Sequence, residues 1–384
     1  MRGLCKYHIQ PVCIAQVTRT DLMYGKLSIF CLLLAVYNSD AIPCWNSKEN
    51  TCVPRHLCRI GAEAERPVIQ FRDLSMAYWE CPPATICCRK SKVVPNIDPS
   101  RPLQCGHVNS LELSSTMKRH QYTAREAEVP WMVALLDARN LEYWAGGSLI
   151  APDVVLTAAF VTEKLNEYQL IVRAGEWDLL TKQEQGQHKD VSIRKIVRHY
   201  GFNRTNGANN VALLFLKKPL ELTHHINLIC LPPPNRNFIY NRCIVSGWGK
   251  KNFEDMAYMN VQKKIDVPLV DRSRCQRQLQ GIFGKNFYLD RSLMCAGGEI
   301  GKDACKGDGG SPLACPLQSD PNRYEQVGIV NYGLGCGTTI PAVYTDVSKM
   351  RTWIDYQIRE NSNAYQPQNA DDGGKLRKEY FRNL

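Results

Sequence analysis

The residues best placed to do chemistry are Gly307-Asp308-Gly309-Gly310-Ser311-Pro312. An acid, three glycines and one serine in a single run are the materials of a nucleophile turn. Acyl transfer at such a turn needs a hydroxyl that attacks, an imidazole that takes its proton, and a carboxylate that orients the imidazole and stabilises its cation. Ser311 is the one hydroxyl in the run. Of the eight histidines, His188 and His199 lie in or near the segment leading to Asn210. A satisfied surface or core histidine is their ordinary reading. One further signal is chemical: Asn203-Arg204-Thr205 is an N-glycosylation sequon in a polar loop.

The elements that would position these residues follow from length and pattern. The 384 residues allow a core of about 200–250 residues plus smaller modules. A composition of 44% hydrophobic and 22% charged residues argues against wholesale disorder. The net charge of +11 is spread along the chain, densest at Arg89 to Lys92 and Lys375 to Arg382. It reads as solvated surface, with an acidic protein or polysaccharide as the alternative partner; no nucleic-acid module is visible. Seventeen cysteines in orderly spacing point to an oxidising compartment. Lys26 precedes an apolar stretch, Leu27 to Val36, followed by small or polar residues near Ala41. That is a secretory signal, too short to span a bilayer, and it assigns residues 23–41. Met23 is the expected start and residues 1–22 an upstream extension, a short membrane anchor being the alternative. The reading is a secreted protein with no membrane attachment after signal removal.

Six cysteines follow within 45 residues: Cys44, Cys52, Cys58, Cys81, Cys87 and Cys88. So short a segment needs disulfides in place of a core, and spacing alone leaves the pairing open. Adjacent Cys87 and Cys88 speak against zinc. Residues 42–90 form this module, and proline-bearing residues 91–121 read as a linker that Cys105 tethers to the next domain. Residues 122–360 carry short β-rich runs broken by Gly, Pro and Asn: Trp131 to Leu136, Leu149 to Thr157, Leu170 to Ala174, Val211 to Leu216, Ile244 to Gly247 and Gln326 to Val330. These predict an antiparallel sandwich or pair of barrels. Met350, Ile354 and Ile358 predict one closing helix over Val347 to Ile358. The polar, then basic, tail 361–384 is expected to be disordered.

Seven motifs occur in the order of chymotrypsin-like serine proteases over roughly 240 positions: Pro130 to Leu135, Gly146 to Ile150, Leu156 to Ala159, Ala212 to Leu214, Gly247 to Gly249, Met294 to Gly297 and Val343 to Thr345. Together with the Cys-x5-Cys-Cys run ending at Cys88, the chain resembles the clip-domain serine protease homologues of arthropods. The resemblance implies an all-β fold: two six-stranded antiparallel β-barrels with a C-terminal helix, preceded by a small disulfide-rich clip domain. It implies clip pairs Cys44–Cys87, Cys52–Cys81 and Cys58–Cys88, and domain pairs Cys105–Cys230, Cys243–Cys315, Cys275–Cys295 and Cys305–Cys336.

The family's catalytic positions map residue by residue onto Phe160 for the histidine, Asn210 for the aspartate and Gly309 for the serine. Loss of serine or histidine costs on the order of a million-fold in turnover, and asparagine for aspartate about ten thousand-fold. The bridge that usually flanks the histidine is missing at both ends, Ala145 and Val161. In the family, cleavage frees an Ile-Val-Gly-Gly terminus whose ammonium pairs with the acid before the serine. Asp308 holds that acid's place, but the counterpart of the terminus reads Lys118-Arg119-His120-Gln121. Cleavage after Lys118 or Arg119 and an uncut linker both stay open. Asp303 matches the trypsin-like acid at the base of the substrate pocket, with Asn331 and Gly333 on one wall and Ala342 narrowing the cavity; a vestigial pocket is expected over one that captures a basic side chain. Glu176, Asp178 and Glu184 resemble a Ca²⁺ loop of some relatives but are loosely spaced, so no metal or other cofactor is expected.

The function implied is that of a secreted, non-catalytic protease homologue acting as cofactor, scaffold or regulator in an extracellular cascade of the melanisation type. Its partners would be extracellular proteins, clip-domain proteases or their zymogen substrates, with an oligomer possible. The alternatives are an active trypsin-like endopeptidase and a recognition or adhesion protein outside any cascade.

Overall fold

The computed structural model describes residues 104–109 and 122–362, apart from 182, 183, 185 and 239–241, and the backbone of 50–54 and 85–89. The chain divides into two compact units. In the first, β1 (Asn50–Pro54) and β2 (Thr85–Arg89) form an antiparallel pair with Cys52 opposite Cys87 and Thr51 opposite Cys88. The proposed clip disulfides, the signal, the Lys118-Arg119 pair and most of the tail lie outside the described residues.

The second unit holds two closed six-stranded barrels. The first takes β3 (Met132–Asp137), β4 (Tyr143–Ala151), β5 (Val154–Thr157), β6 (Leu170–Ala174), β7 (Lys189–Arg198) and β8 (Ala212–Leu216) in the order β3-β4-β5-β8-β7-β6. The second takes β9 (Arg242–Gly247), β10 (Lys263–Val270), β11 (Leu293–Gly297), β12 (Pro312–Pro316), β13 (Tyr324–Tyr332) and β14 (Pro341–Asp346), closed as β10-β11-β14-β13-β12-β9. Every pairing between the strands of the two barrels is antiparallel, in keeping with the all-β reading.

The strands Val154–Thr157 and Ala212–Leu216 are buried throughout rather than alternately. The reason is a second apolar layer: the core of the first barrel runs without a break into Trp248, Ala314 and Ile329 of the second and into Val347, Met350, Ile354 and Ile358 of the closing helix. That helix, α3 (Val347–Asn361), starts at Asp346, whose carboxylate accepts from the backbone of Ser348 and Lys349. The run expected from Leu149 to Thr157 divides at Pro152-Asp153, because Asp153 is buried and accepts from Ser362 Oγ at 2.7 Å, which fixes a turn there.

A second helix, α2 (Arg272–Phe283), escaped the sequence reading. It buries only Cys275 and Leu279, too few for a visible stripe, and is set by its Asp271 cap and by the Cys275–Cys295 bond to β11. Three further disulfides brace this unit: Cys105–Cys230, Cys243–Cys315 and Cys305–Cys336. Cys105 thus ties residues 104–109 to the barrels, helped by backbone bonds from Gly106 to Leu228 and from Tyr324 to Gly106. Among the described residues, no helix is long and apolar enough to cross a membrane.

Candidate functional site

Strand β5 ends at Thr157 and Ala158 stays extended, so the chain enters the one-turn helix α1 (Ala159–Thr162) with three side chains buried and one turned outward. The outward one is Phe160, 39% exposed. Its ring lies over Gly309: a Cβ at residue 309 would stand 2.5 Å from Phe160 Cζ. At the position expected to match the family's imidazole stands this ring, and it covers the place from which a side chain at residue 309 would project.

Asn210, just before β8, is 1% exposed. Its Oδ1 accepts from the Phe160 backbone N–H at 3.0 Å, and its Nδ2 donates to Asn331 Oδ1 at 2.7 Å. Asn331 Nδ2 donates in turn to Gly207 O at 2.8 Å and Thr345 Oγ1 at 3.2 Å, while Thr345 Oγ1 donates to Asn210 O at 3.0 Å. The amide is therefore satisfied at both ends, as burial demands. Asn331, expected on a pocket wall, commits its side chain to this network.

The turn at residues 307–310 keeps a defined shape. Gly310 has φ +82°, and a Cβ there would meet Thr157 Oγ1 at 2.2 Å and Gly146 O at 2.5 Å, so no side chain fits. Gly146 N–H donates to Gly309 O and Gly310 N–H to Val330 O, both at 3.1 Å. Ser311 is fully buried and faces away from the cleft, against Gly146 and Gly247.

Asp308 is wholly buried. Its Oδ1 accepts from Gly249 N–H at 2.9 Å and its Oδ2 from Cys305 N–H at 2.8 Å. The cation beside it is Lys263, whose Nζ lies 2.5 Å from Asp308 Oδ2 and donates to Lys250 O at 2.7 Å. Sequence reasoning missed Lys263, since nothing in its own neighbourhood distinguishes it from other lysines.

Asp303, expected at the base of a substrate pocket, is 8% exposed, with Oδ2 accepting from Gly337 N–H at 3.2 Å and Oδ1 buried without a hydrogen-bond partner. Burial pushes its carboxyl up to about 7, against the pull of the Gly337 and Ala304 N–H groups. Ala342 is 3% exposed, and a Cβ on Gly333 would stand 3.6 Å from its methyl.

The acidic loop is arranged differently from its expected ligand set. Glu176 and Glu184 come together with His188, their ligand atoms all within 4.8 Å of one another. Asp178 turns away, accepting from Leu180 N–H and Thr181 Oγ1 at 3.2 and 3.1 Å. Burial, and then the neighbouring Glu184, push the Glu176 carboxyl up to about 8. Asn203 of the sequon is exposed and its Oδ1 accepts from Thr205 N–H at 2.9 Å.

The trypsin family profile matches residues 119–354. Phenoloxidase-activating factor 2 of Galleria mellonella is 44% identical over 250 residues, covering 61% of this chain and 82% of that protein. Two Anopheles gambiae proteins named inactive CLIP domain-containing serine proteases are also similar. A28 is 37% identical over 269 residues, with 68% of this chain and 69% of that protein covered. A8 is 34% identical over 330 residues, with 80% and 88% covered. Two closed antiparallel barrels, a closing helix, four bracing disulfides and these relatives converge on one assignment: the chain belongs to the trypsin family, among its clip-domain serine protease homologues.

Proposed function

We propose that this protein is a secreted, non-catalytic protease homologue that binds components of an extracellular protease cascade as a cofactor or scaffold. The observation that carries the reading is the Phe160 ring over Gly309, with Asn210 holding the Phe160 backbone. No group at these three positions can attack a carbonyl, take a proton or stabilise an imidazolium. Ser311 offers no substitute, being buried on the far side of the turn. The names of the relatives, an activating factor and inactive clip-domain proteases, support a place beside active proteases rather than among them. The partners proposed are clip-domain proteases or their zymogen substrates.

The test has two arms. Purified protein, uncut and cut near Arg119, is incubated with a fluorophosphonate probe and with Arg-containing peptides. Neither labelling nor turnover is expected, and a labelled serine would refute the reading. Capture from arthropod extracellular fluid is expected to recover clip-domain proteases or phenoloxidase zymogen; recovery of matrix or cell-surface proteins alone would move the protein outside any cascade.

A further inference from the structure

The buried carboxylate of Asp308 bears on how this chain responds to cleavage. In a protein interior, a lone carboxylate is unfavourable unless a cation and hydrogen-bond donors surround it. Asp308 already has all of these: Lys263 Nζ, Gly249 N–H and Cys305 N–H. Lys263 is 3% exposed and stands first in β10, paired across the sheet with Gly247 of β9. On its other flank lies the segment just after the Lys118-Arg119 pair: Ala124 N–H donates to Gln262 O at 2.8 Å, and Lys264 N–H donates to Tyr122 O at 2.9 Å. The segment that would deliver a new terminus is thus laid along the strand whose own lysine holds the acid.

We infer that Lys263 is the resident counter-ion of Asp308, so that the turn at residues 305–310 has its final shape in the uncut chain and cleavage at Lys118 or Arg119 does not reorganise it. The pair occupies a closed space. A Cβ on Gly249 would stand 2.5 Å from the Asp308 carboxyl carbon, and one on Gly247 2.5 Å from its Oδ1. A second ammonium brought there would have to displace Lys263 from both Asp308 and Lys250 O. Any partner that reads the turn, or the Asp303 pocket beside it, therefore meets the same surface before and after cleavage. Cleavage, where it occurs, acts on residues upstream of Tyr122. This inference concerns the turn's shape and does not depend on whether the cleft is catalytic.

Hydrogen–deuterium exchange on the full-length protein tests it, comparing peptides that cover 305–311 in the uncut chain and after limited tryptic cleavage at 118–119. Protection is expected to agree within about twofold between the two forms, by the relation of exchange to local opening. A rise of tenfold or more on cleavage would overturn the inference. Lys263→Met, close in volume but uncharged, is expected to speed exchange in this peptide by roughly tenfold or more while leaving β3 to β8 unchanged. Unchanged protection would equally overturn it. Should that variant misfold, Lys263→Met with Asp308→Asn removes both charges and is expected to recover protection relative to the single change. The comparison of uncut and cut wild-type protein needs no variant at all.

Discussion

Restoring the family's aspartate at residue 210 should weaken this protein rather than repair it. In Asn210→Asp the oxygen that accepts from Phe160 N–H is kept, but the amide nitrogen 2.7 Å from Asn331 Oδ1 becomes a second oxygen. Asn331 cannot turn round to offer its own nitrogen without abandoning Gly207 O and Thr345 Oγ1. Losing a buried hydrogen bond and setting two acceptors face to face costs about 1–3 kcal/mol, and an unpaired buried charge adds to it. A total near 3 kcal/mol lowers the melting temperature by roughly 6–12 °C in a domain of this size. The pH dependence identifies the cause. A protonated carboxyl can donate to Asn331 Oδ1 in place of the amide, so the introduced group has a folded pKa above its unfolded value. Its contribution is retained below the unfolded pKa near 4 and lost as pH rises towards the folded value. Thermal unfolding at pH 4.5 and pH 8 should show a small deficit at the lower pH and the full deficit at the higher. A deficit independent of pH, or none at pH 8, would refute the network as drawn.

Other outcomes follow from the same geometry. Gly310→Ala, at φ +82° with atoms 2.2 and 2.5 Å from its new methyl, should cost about 3 kcal/mol or more, or abolish secretion, as read from yield and melting temperature. Gly309→Ser alone should be tolerated with a penalty of about 1 kcal/mol, because the obstructing Phe160 is partly exposed and can swing out, but should give no fluorophosphonate labelling. Asp303 has a folded pKa raised to about 7, so it destabilises the fold increasingly as pH rises from about 4 to 7; Asp303→Asn should leave stability unchanged at pH 4 and raise it by about 1–3 kcal/mol at pH 8, measured by denaturant unfolding. Cys105→Ser with Cys230→Ser should release residues 104–109 and lower stability by about 2–4 kcal/mol, seen as new proteolytic sensitivity near residue 105.

How much of this was legible depended on whether a feature is local. The strand Leu170–Ala174 reads directly as a short β-rich run ending at Gly175, and the closing helix from Met350, Ile354 and Ile358. The turn at 307–310 reads from its glycines, because positive φ at Gly307 and Gly310 needs them wherever the chain lies. The Cys105 tether was legible because a lone cysteine in an otherwise polar linker needs a distant partner. Helix α2 was not, since two buried residues make no stripe and a disulfide does the anchoring. Lys263 was hidden more deeply. Its role comes from its register against Gly247 and its depth in the second barrel, which no window around residue 263 contains. Asn331 was placed on the pocket wall from its position in chain order, whereas its side chain answers to residue 210, more than a hundred positions away.

These dependencies bear on what the altered cleft is. The three replacements are not independent losses, for each fits another. Phe160 can lie where it does because residue 309 has no Cβ. Asn210 is satisfied because Asn331 presents an oxygen, where a carboxylate would need a donor. The Phe160 backbone is held by the same amide. A single reversal at any of the three positions therefore meets opposition from the other two: a serine meets the ring, an aspartate meets an acceptor, and an imidazole at residue 160 finds an amide where it needs a charge. The glycine turn and the buried Asp308–Lys263 pair, meanwhile, hold the surrounding backbone. On the proposed non-catalytic reading, a working triad would need concerted change at all three positions, whereas the present arrangement is retained by the contacts each position makes with the others.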